Sequence, residues 1–394
     1  MSTDAALLAA TREWLLDAAA RARGADELLG ELALQLRGGG VPVVRLSLQA
    51  RILHPQFIAR SYVWWLGSGV QREDRPHFVS DDLVRLYNQS PVAWLHHHPG
   101  PLRRRIQDAD CPDDFPLLAE LRARGATDYY GQRLVWGSSE INVLTWASDA
   151  PGGFSASHLA LFEGLRSALA TVLELILQRE LARTLLEVYV GRLSGGRVLD
   201  GSLARGAREQ VRAVVWYSDL SGFMRLSESV DPLDLLTVLD AWFEQVTGAV
   251  GMQGGEVVKF MGDGLLALFP AESGEEEDAC RRALWAAQDV AARVATLALP
   301  PSIPGPLRFG IGLHLGDVLV GNVGASDRLD VTAVGPAINR AARTEALCRR
   351  LGVSILATGE VARHLRGVLR PMGYHTLRDI AEPTEVYAAE APGS

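Results

Sequence analysis

The chain has 394 residues, and at about 150 residues per domain this sets an expectation of two to three domains, each able to bury a core without disulfide staples. With 48% apolar and 22% charged residues, it has the composition of an ordinary soluble globular protein. Its 39 basic residues against 47 acidic ones leave a net charge of −8, and no basic block is longer than Arg103-Arg104-Arg105. A nucleic-acid partner, which requires a concentrated basic face, is therefore disfavoured.

The first residues carry Asp4, Arg12 and Glu13 among apolar neighbours, which predicts an amphipathic helix rather than a signal peptide. The longest apolar stretch, Leu169 to Leu177, is interrupted by Glu174 and is too short to cross a bilayer. Three cysteines, Cys111, Cys280 and Cys348, have no paired spacing, which favours a reducing cytoplasm and no structural metal site. Of the 39 basic residues only Lys259 is a lysine. The composition is that of a GC-rich, bacterial-type coding sequence, in which arginine freely replaces surface lysine. A lysine that survives such replacement suits a site needing a compact ammonium rather than a wide planar fork.

In chain order, residues 5–37 read as one or two amphipathic helices ending at Gly38-Gly39-Gly40. Val43–Ile52 and Ile58–Leu66 alternate apolar and polar residues, predicting an antiparallel strand pair. Helices follow at Asp82–Gln89 and Phe115–Arg124, then strands at Gly131–Trp136 and Glu140–Trp146. Ser155 is the expected N-cap of a long helix. His96-His97-His98 before Pro99 reads as a loop, because consecutive histidines diverge on any regular element and suit no single ion. Trp64, Trp65 and Trp94 suit either a pocket lining or plain core. The order of elements, closing on "GGFSASHLALFEGLRSALATVLE", resembles a GAF domain; a PAS domain carries much the same pattern. Such a domain implies an unidentified small-molecule ligand.

Within the long helix, Phe162, Leu165, Leu169, Val172 and Ile176 recur at three–four spacing and then slip to Leu177, Leu181, Leu185 and Val188. This spacing predicts a coiled-coil seam and hence a dimer stalk; a helix packed on its own domain is the plainer alternative. Gly191 to Gly206, with five glycines, reads as a linker. The expected division is a helical segment at 1–40, a GAF-like α/β sensor domain at 41–158, stalk and linker at 159–207, and a further domain at 208–392.

That last domain reads as strand Val211–Ser218, helix Pro232–Val250, hairpin Glu256–Phe260 with Leu265–Phe269, helix Glu277–Leu297, strand Leu307–Leu313 running into a hairpin through Gly316, Gly321 and Gly324, helix Pro336–Leu351, and a final strand–helix–strand. The alternation predicts an α+β sandwich of ferredoxin-like type. Asp219 follows the first strand in "YSDLSGF", and Asp263 sits at the hairpin tip in "KFMGDGLLALF". Singly, each is an ordinary solvated turn residue. As a pair at strand ends, they suit two hard cations about 3.5–4 Å apart.

"YSDLSGF", "VVKFMGDGLLALF", "FGIGLHLGDVLVGNVG" and "DVTAVGPAINRAAR", in this order and spacing, closely resemble the catalytic domain of class III nucleotide cyclases. The resemblance implies that Asp219 and Asp263 bind two Mg²⁺ or Mn²⁺ ions per site. It further implies that Lys259 and Thr332 read the base, with Phe223 and Arg378 as further substrate contacts, and that Asn339 orients the ribose while Arg343 stabilises charge on the reacting α-phosphate. Threonine at 332 marks the class IIIb subgroup, several of whose members respond to bicarbonate. Arg378 departs from a lysine in the family's pattern. The implied activity is conversion of ATP to 3′,5′-cyclic AMP and pyrophosphate at sites shared across a homodimer. Guanylate cyclases usually carry Glu and Cys at the positions of Lys259 and Thr332, and diguanylate cyclases an acidic residue after the Asp of "MGDGL". A catalytically silent nucleotide sensor is the alternative of a different class.

Overall fold

The computed structural model describes residues 3–22, 24–52, 54–77, 80–137, 141–191, 208–325 and 329–389. The chain divides into two compact units, Met1–Leu185 and Leu186–Ser394.

The first unit runs α1 (Thr3–Arg21), α2 (Ala25–Gly38), β1 (Val43–Arg51), β2 (Phe57–Trp65), β3 (Gly69–Pro76), α3 (Asp81–Asn88), α4 (Pro91–His97), β4 (Leu102–Arg104), α5 (Pro116–Ala123), β5 (Asp128–Val135), β6 (Ile141–Ser148) and α6 (Ala156–Val190). Its sheet has the order β3-β2-β1-β6-β5-β4 and is antiparallel throughout. The period-2 pattern of β1 sends Leu46, Leu48 and Ala50 into the core shared with α1, α2 and α6. Arg45, Ser47 and Gln49 therefore point to the opposite face. Ser155 caps α6, its hydroxyl accepting from the His158 amide at 3.2 Å.

The expected dimer seam is corrected here. Phe162, Leu165, Leu169, Val172 and Ile176 are each at most 2% exposed, buried against the sheet and α2 of the same chain. Three–four spacing fits a partner helix and a sheet equally well, and here the sheet takes the stripe. Past Leu177 the helix emerges, leaving Leu185 and Val188 exposed. The glycine-rich linker, beyond Gly191, lies outside the described residues.

Three elements of this unit, β3, α4 and the short β4, have no signature in the pattern. β3 is an edge strand of polar sequence without apolar alternation. In α4, Ser90 accepts from the Ala93 amide at 3.2 Å and Pro91 opens the helix, so His96 and His97 lie in its last turn rather than in a loop. Trp64 is core against the helices, while Trp65 and Trp94 pack on the second core with α4 and α5.

The second unit runs β7 (Arg208–Leu220), α7 (Phe223–Ser229), α8 (Pro232–Met252), β8 (Glu256–Met261), β9 (Gly264–Pro270), α9 (Glu276–Ala295), β10 (Phe309–Gly324), β11 (Leu329–Val334), α10 (Pro336–Leu351), β12 (Ile355–Thr358), α11 (Gly359–Ala362), β13 (Arg370–His375) and β14 (Thr384–Ala388). The sheet order is β13-β14-β12-β10-β7-β9-β8, with β11 on β10. Among the described residues only β10 and β12 pair in parallel. On β7, Val214 and Trp216 face α8 and α9, whereas Ala213 and Val215 share a core with Ala337 and Ala341 of α10. Backbone contact seats α10 on β10: a Cβ at Gly312 would run into Ala341 O and the Glu345 amide.

Leu169→Ala should destabilise the first unit by about 2–5 kcal/mol, the cost of a fully buried leucine cavity, while leaving the oligomeric state unchanged. Denaturant unfolding with sedimentation on the same variant checks this. Normal stability with altered oligomerisation would restore the seam.

Candidate active site

β7 carries Asp219 to its end because the β7–β9 register, Ser218 opposite Leu265, stops there and the β8–β9 hairpin turns beside it. The turn is two residues long, Met261 pairing with Gly264 across Gly262-Asp263. Gly262 takes the left-handed conformation it requires (φ 66°). The Trp242 indole N–H donates to the Asp263 carbonyl at 3.1 Å and ties the tip to α8. Asp219 lies between two strand glycines. It is paired with Gly310 on β10, and a Cβ on Gly264 would stand 3.2 Å from its Oδ1.

The consequence is electrostatic. Burial, then the charge of Asp263, push the Asp219 carboxyl up to about 7. A third carboxylate, Glu345 on α10, is half-buried over Gly310, where a Cβ would collide with its Oε1. Burial and the two aspartates push it, too, up to about 7. Sequence reasoning missed Glu345. Standing two residues after Arg343, it reads as a surface charge, and the available signal was Gly310, whose missing side chain makes the space. The three carboxylates do not form a ready-made cage: among the described residues no group of three His, Cys, Asp or Glu is close enough to hold a metal ion. Asp219 and Asp263 are the hard-oxygen pair able to take divalent cations, with remaining coordination positions left for a ligand.

A second cluster forms where β11 passes near β8. The Lys259 ammonium pairs with Asp330, a carboxylate not singled out in the sequence, which stands two residues before Thr332 and on the same face of β11. A third cluster centres on Asp379, a non-glycine residue at φ 64°. Its carboxylate accepts from Arg343 at 3.3 Å and lies 3.5 Å from Arg378. Asn339, exposed, is one turn before Arg343 on α10. Phe223 opens α7 and packs half-buried against the core. Among the described residues no hydrogen bond or ion pair joins the aspartate pair to either of the other clusters.

Residues 207–382 match the family model of the adenylate and guanylate cyclase catalytic domain. An adenylate cyclase of Anabaena cylindrica is 31% identical over 162 residues, which are 41% of this chain and 32% of that protein. Adenylate cyclase 1 of Rhizobium meliloti is 29% identical over 185 residues, 46% of this chain and 27% of that one. This chain thus spans less than a third of either relative. A solved bacterial light-regulated adenylyl cyclase is 25% identical, covering 57% of this chain and 66% of its own, with a TM-score of 0.47. Among the described residues no helix is long and apolar enough to cross a membrane.

Because the Asp219 pKa is raised above its ordinary value, its ionisation opposes folding. The cost is absent below the usual carboxylate range, grows as pH rises toward 7 and is complete above it. Asp219→Asn should therefore raise the melting temperature at pH 8 in EDTA by about 2–4 °C, or about 1 kcal/mol after allowance for solvent screening. The gain should shrink as pH is lowered. Calorimetry at several pH values checks it, and a variant melting no higher than wild type at pH 8 would mean that the pair is not in repulsion.

Proposed function

We propose that this chain is an adenylate cyclase whose catalytic part is the adenylate/guanylate cyclase catalytic domain at residues 207–382. The observation that carries this reading is the apposition of Asp219 and Asp263 at adjacent strand ends, close enough that the charge of Asp263 adds to burial in pushing the Asp219 carboxyl up to about 7. Two carboxylates forced together in this way fit Mg²⁺ or Mn²⁺ by charge and by oxygen donors. Such ions, two per site, would supply neutralisation of the triphosphate and acidification of the ribose 3′-hydroxyl.

Lys259 donates to a ring nitrogen of adenine, and the Thr332 hydroxyl accepts from its exocyclic amine. The ion pair between Lys259 and Asp330 keeps the ammonium over the same strand face as Thr332. Asn339 hydrogen-bonds the ribose and fixes the 3′-oxygen in line with the α-phosphorus. Arg343 leaves Asp379 to hold the charge that develops on the α-phosphate. Arg378 takes the outer phosphates, and Phe223 borders the site behind Asp219. The 3′-oxygen forms its bond to the α-phosphorus as the bond to the bridging oxygen breaks. Pyrophosphate departs with the electron pair, and the hydroxyl proton passes to solvent.

The site is shared across a two-fold homodimer in which the aspartates of one chain face the base, ribose and phosphate residues of the other; the pairing of Lys259 with Asp330 and of Arg343 with Asp379, rather than with Asp219 or Asp263, suits that arrangement. The first unit is then a regulatory domain of GAF-like kind, supported by its six-stranded antiparallel sheet with helices α1, α2 and α6 on one face. The stalk falls to the end of α6, where the exposed Leu185 and Val188 are free to meet a partner. A cytoplasmic setting, where ATP is available, suits this activity.

Replacing Lys259 by Glu together with Thr332 by Cys inverts the donor–acceptor pattern offered to the purine. Two mispaired polar groups at about 1–3 kcal/mol each should lower kcat/KM for ATP by about a hundredfold. ATP kinetics unchanged from wild type would remove these two residues from base recognition.

Mixing Asp263→Ala with Arg343→Ala protein tests the shared site. Each alone should be nearly inactive. In a mixed dimer one site inherits both defects and the other is intact, so free exchange should restore roughly a quarter of wild-type turnover. Mixed dimers, demonstrated by co-purification of two tags, that stay inactive would leave each site within one chain.

A further inference from the structure

The first unit contains a cavity of about 860 Å³, bounded by the second face of its sheet and by α3 and α4. That volume falls within the range of small-molecule sites, about 300–1,000 Å³. Its two ends are chemically unlike.

One wall is the apolar face of α3. Leu83, Val84 and Leu86 line the cavity, yet no residue of this helix is buried. Val84 is 42% and Leu86 54% exposed. An amphipathic helix ordinarily lays its apolar stripe on a core. This one lays it over open space, so the hydrophobic gain is left for whatever fills that space.

The opposite end is polar and buried. Arg45 is 7% exposed, donates to Thr145 Oγ1 at 3.1 Å and lies 5.7 Å over the Trp65 ring. Arg60, the other buried arginine of the sheet, pairs with Asp74 and Glu180. Arg45 has no such counter-ion: no carboxylate among the described residues lies within ion-pair distance of it. Burial draws its pKa down. Among the described residues the fully buried Tyr129 hydroxyl, also lining the cavity, makes no hydrogen bond of good geometry, the Thr145 side chain lying close enough only to influence it. A buried guanidinium without an anion and a buried hydroxyl without a well-made hydrogen bond are both costly, and a single ligand group satisfies both.

We propose that this cavity binds a small organic carboxylate, its carboxylate taken by the Arg45 guanidinium and the Tyr129 hydroxyl and its apolar body laid along α3. The guanidinium fork matches a planar carboxylate with two parallel hydrogen bonds, while the α3 wall selects for a hydrocarbon chain or ring over a polar body. The site is independent of the cyclase reading and goes beyond it.

Titration calorimetry on the full chain tests the assignment with octanoate and 4-phenylbutyrate, against 1-octanol and 4-phenyl-1-butanol as neutral matches. The carboxylates should bind one per chain and about tenfold or more tighter than the alcohols. Arg45→Met should remove that preference and leave alcohol binding in place. Because it replaces an unpaired buried charge by an apolar side chain of similar length, it should melt no lower than wild type. Leu86→Asp, on the exposed side of the fold, should weaken acids and alcohols alike. No saturable binding of either carboxylate to the wild-type chain would overturn the proposal, as would equal affinity for acid and alcohol or undiminished carboxylate binding by a folded Arg45→Met protein.

Discussion

Two carboxyl groups held side by side, one of them pushed up to about 7 by burial and by the charge of the other, are the constraint on which the candidate site of the second unit depends. Asp219 cannot retreat, because β7 is hydrogen-bonded on both sides, to β9 and to β10. Nor can Asp263, whose carbonyl is tied to Trp242 and whose turn depends on Gly262. The ladder energies of three strands thus maintain a local arrangement that is unfavourable by itself. Such stored electrostatic cost is ordinarily found where a cation or a reacting group will relieve it. Gly264 and Gly310 suit the same arrangement: Gly264 removes a side chain beside the Asp219 carboxylate, and Gly310, paired with Asp219 across the sheet, leaves room for the carboxylate of Glu345.

The cationic residues show a complementary arrangement. Lys259 is neutralised by Asp330, and Arg343 by Asp379. Both pairs are partly exposed, so each is worth little to stability and is readily exchanged for a phosphate or a base. The pairs keep long side chains in place near where a nucleotide would need them, at the price of a carboxylate that must be displaced. Asp379, held at φ 64°, carries a backbone strain consistent with a positioning role for its side chain.

Much of the second unit is legible in the sequence. The alternating strands, the proline-opened helix at Pro232 and the hairpin around "MGDG" correspond closely to the observed elements, because each is specified by local pattern and turn chemistry. Asp219 and Asp263 do come together, and the single lysine pairs with Asp330, two residues before Thr332. What escaped was decided by tertiary partners. Phe162 to Ile176 has a spacing that cannot tell a helix from a sheet as its partner, and the sheet claimed it. Polar β3 owes its strand state to pairing with β2 rather than to its own sequence. Glu345 and Arg45 look like surface charges until the backbone around them is known. That no carboxylate among the described residues pairs with Arg45 depends on which of them reach it, and sequence order does not encode that.

The reaction itself is the central claim, and its products test it most directly. The purified 394-residue chain, incubated with ATP and Mn²⁺ and followed by phosphorus NMR, should yield cyclic AMP and pyrophosphate in equal amounts. Release of ADP with inorganic phosphate, or ATP left intact in the presence of the metal, would contradict the account.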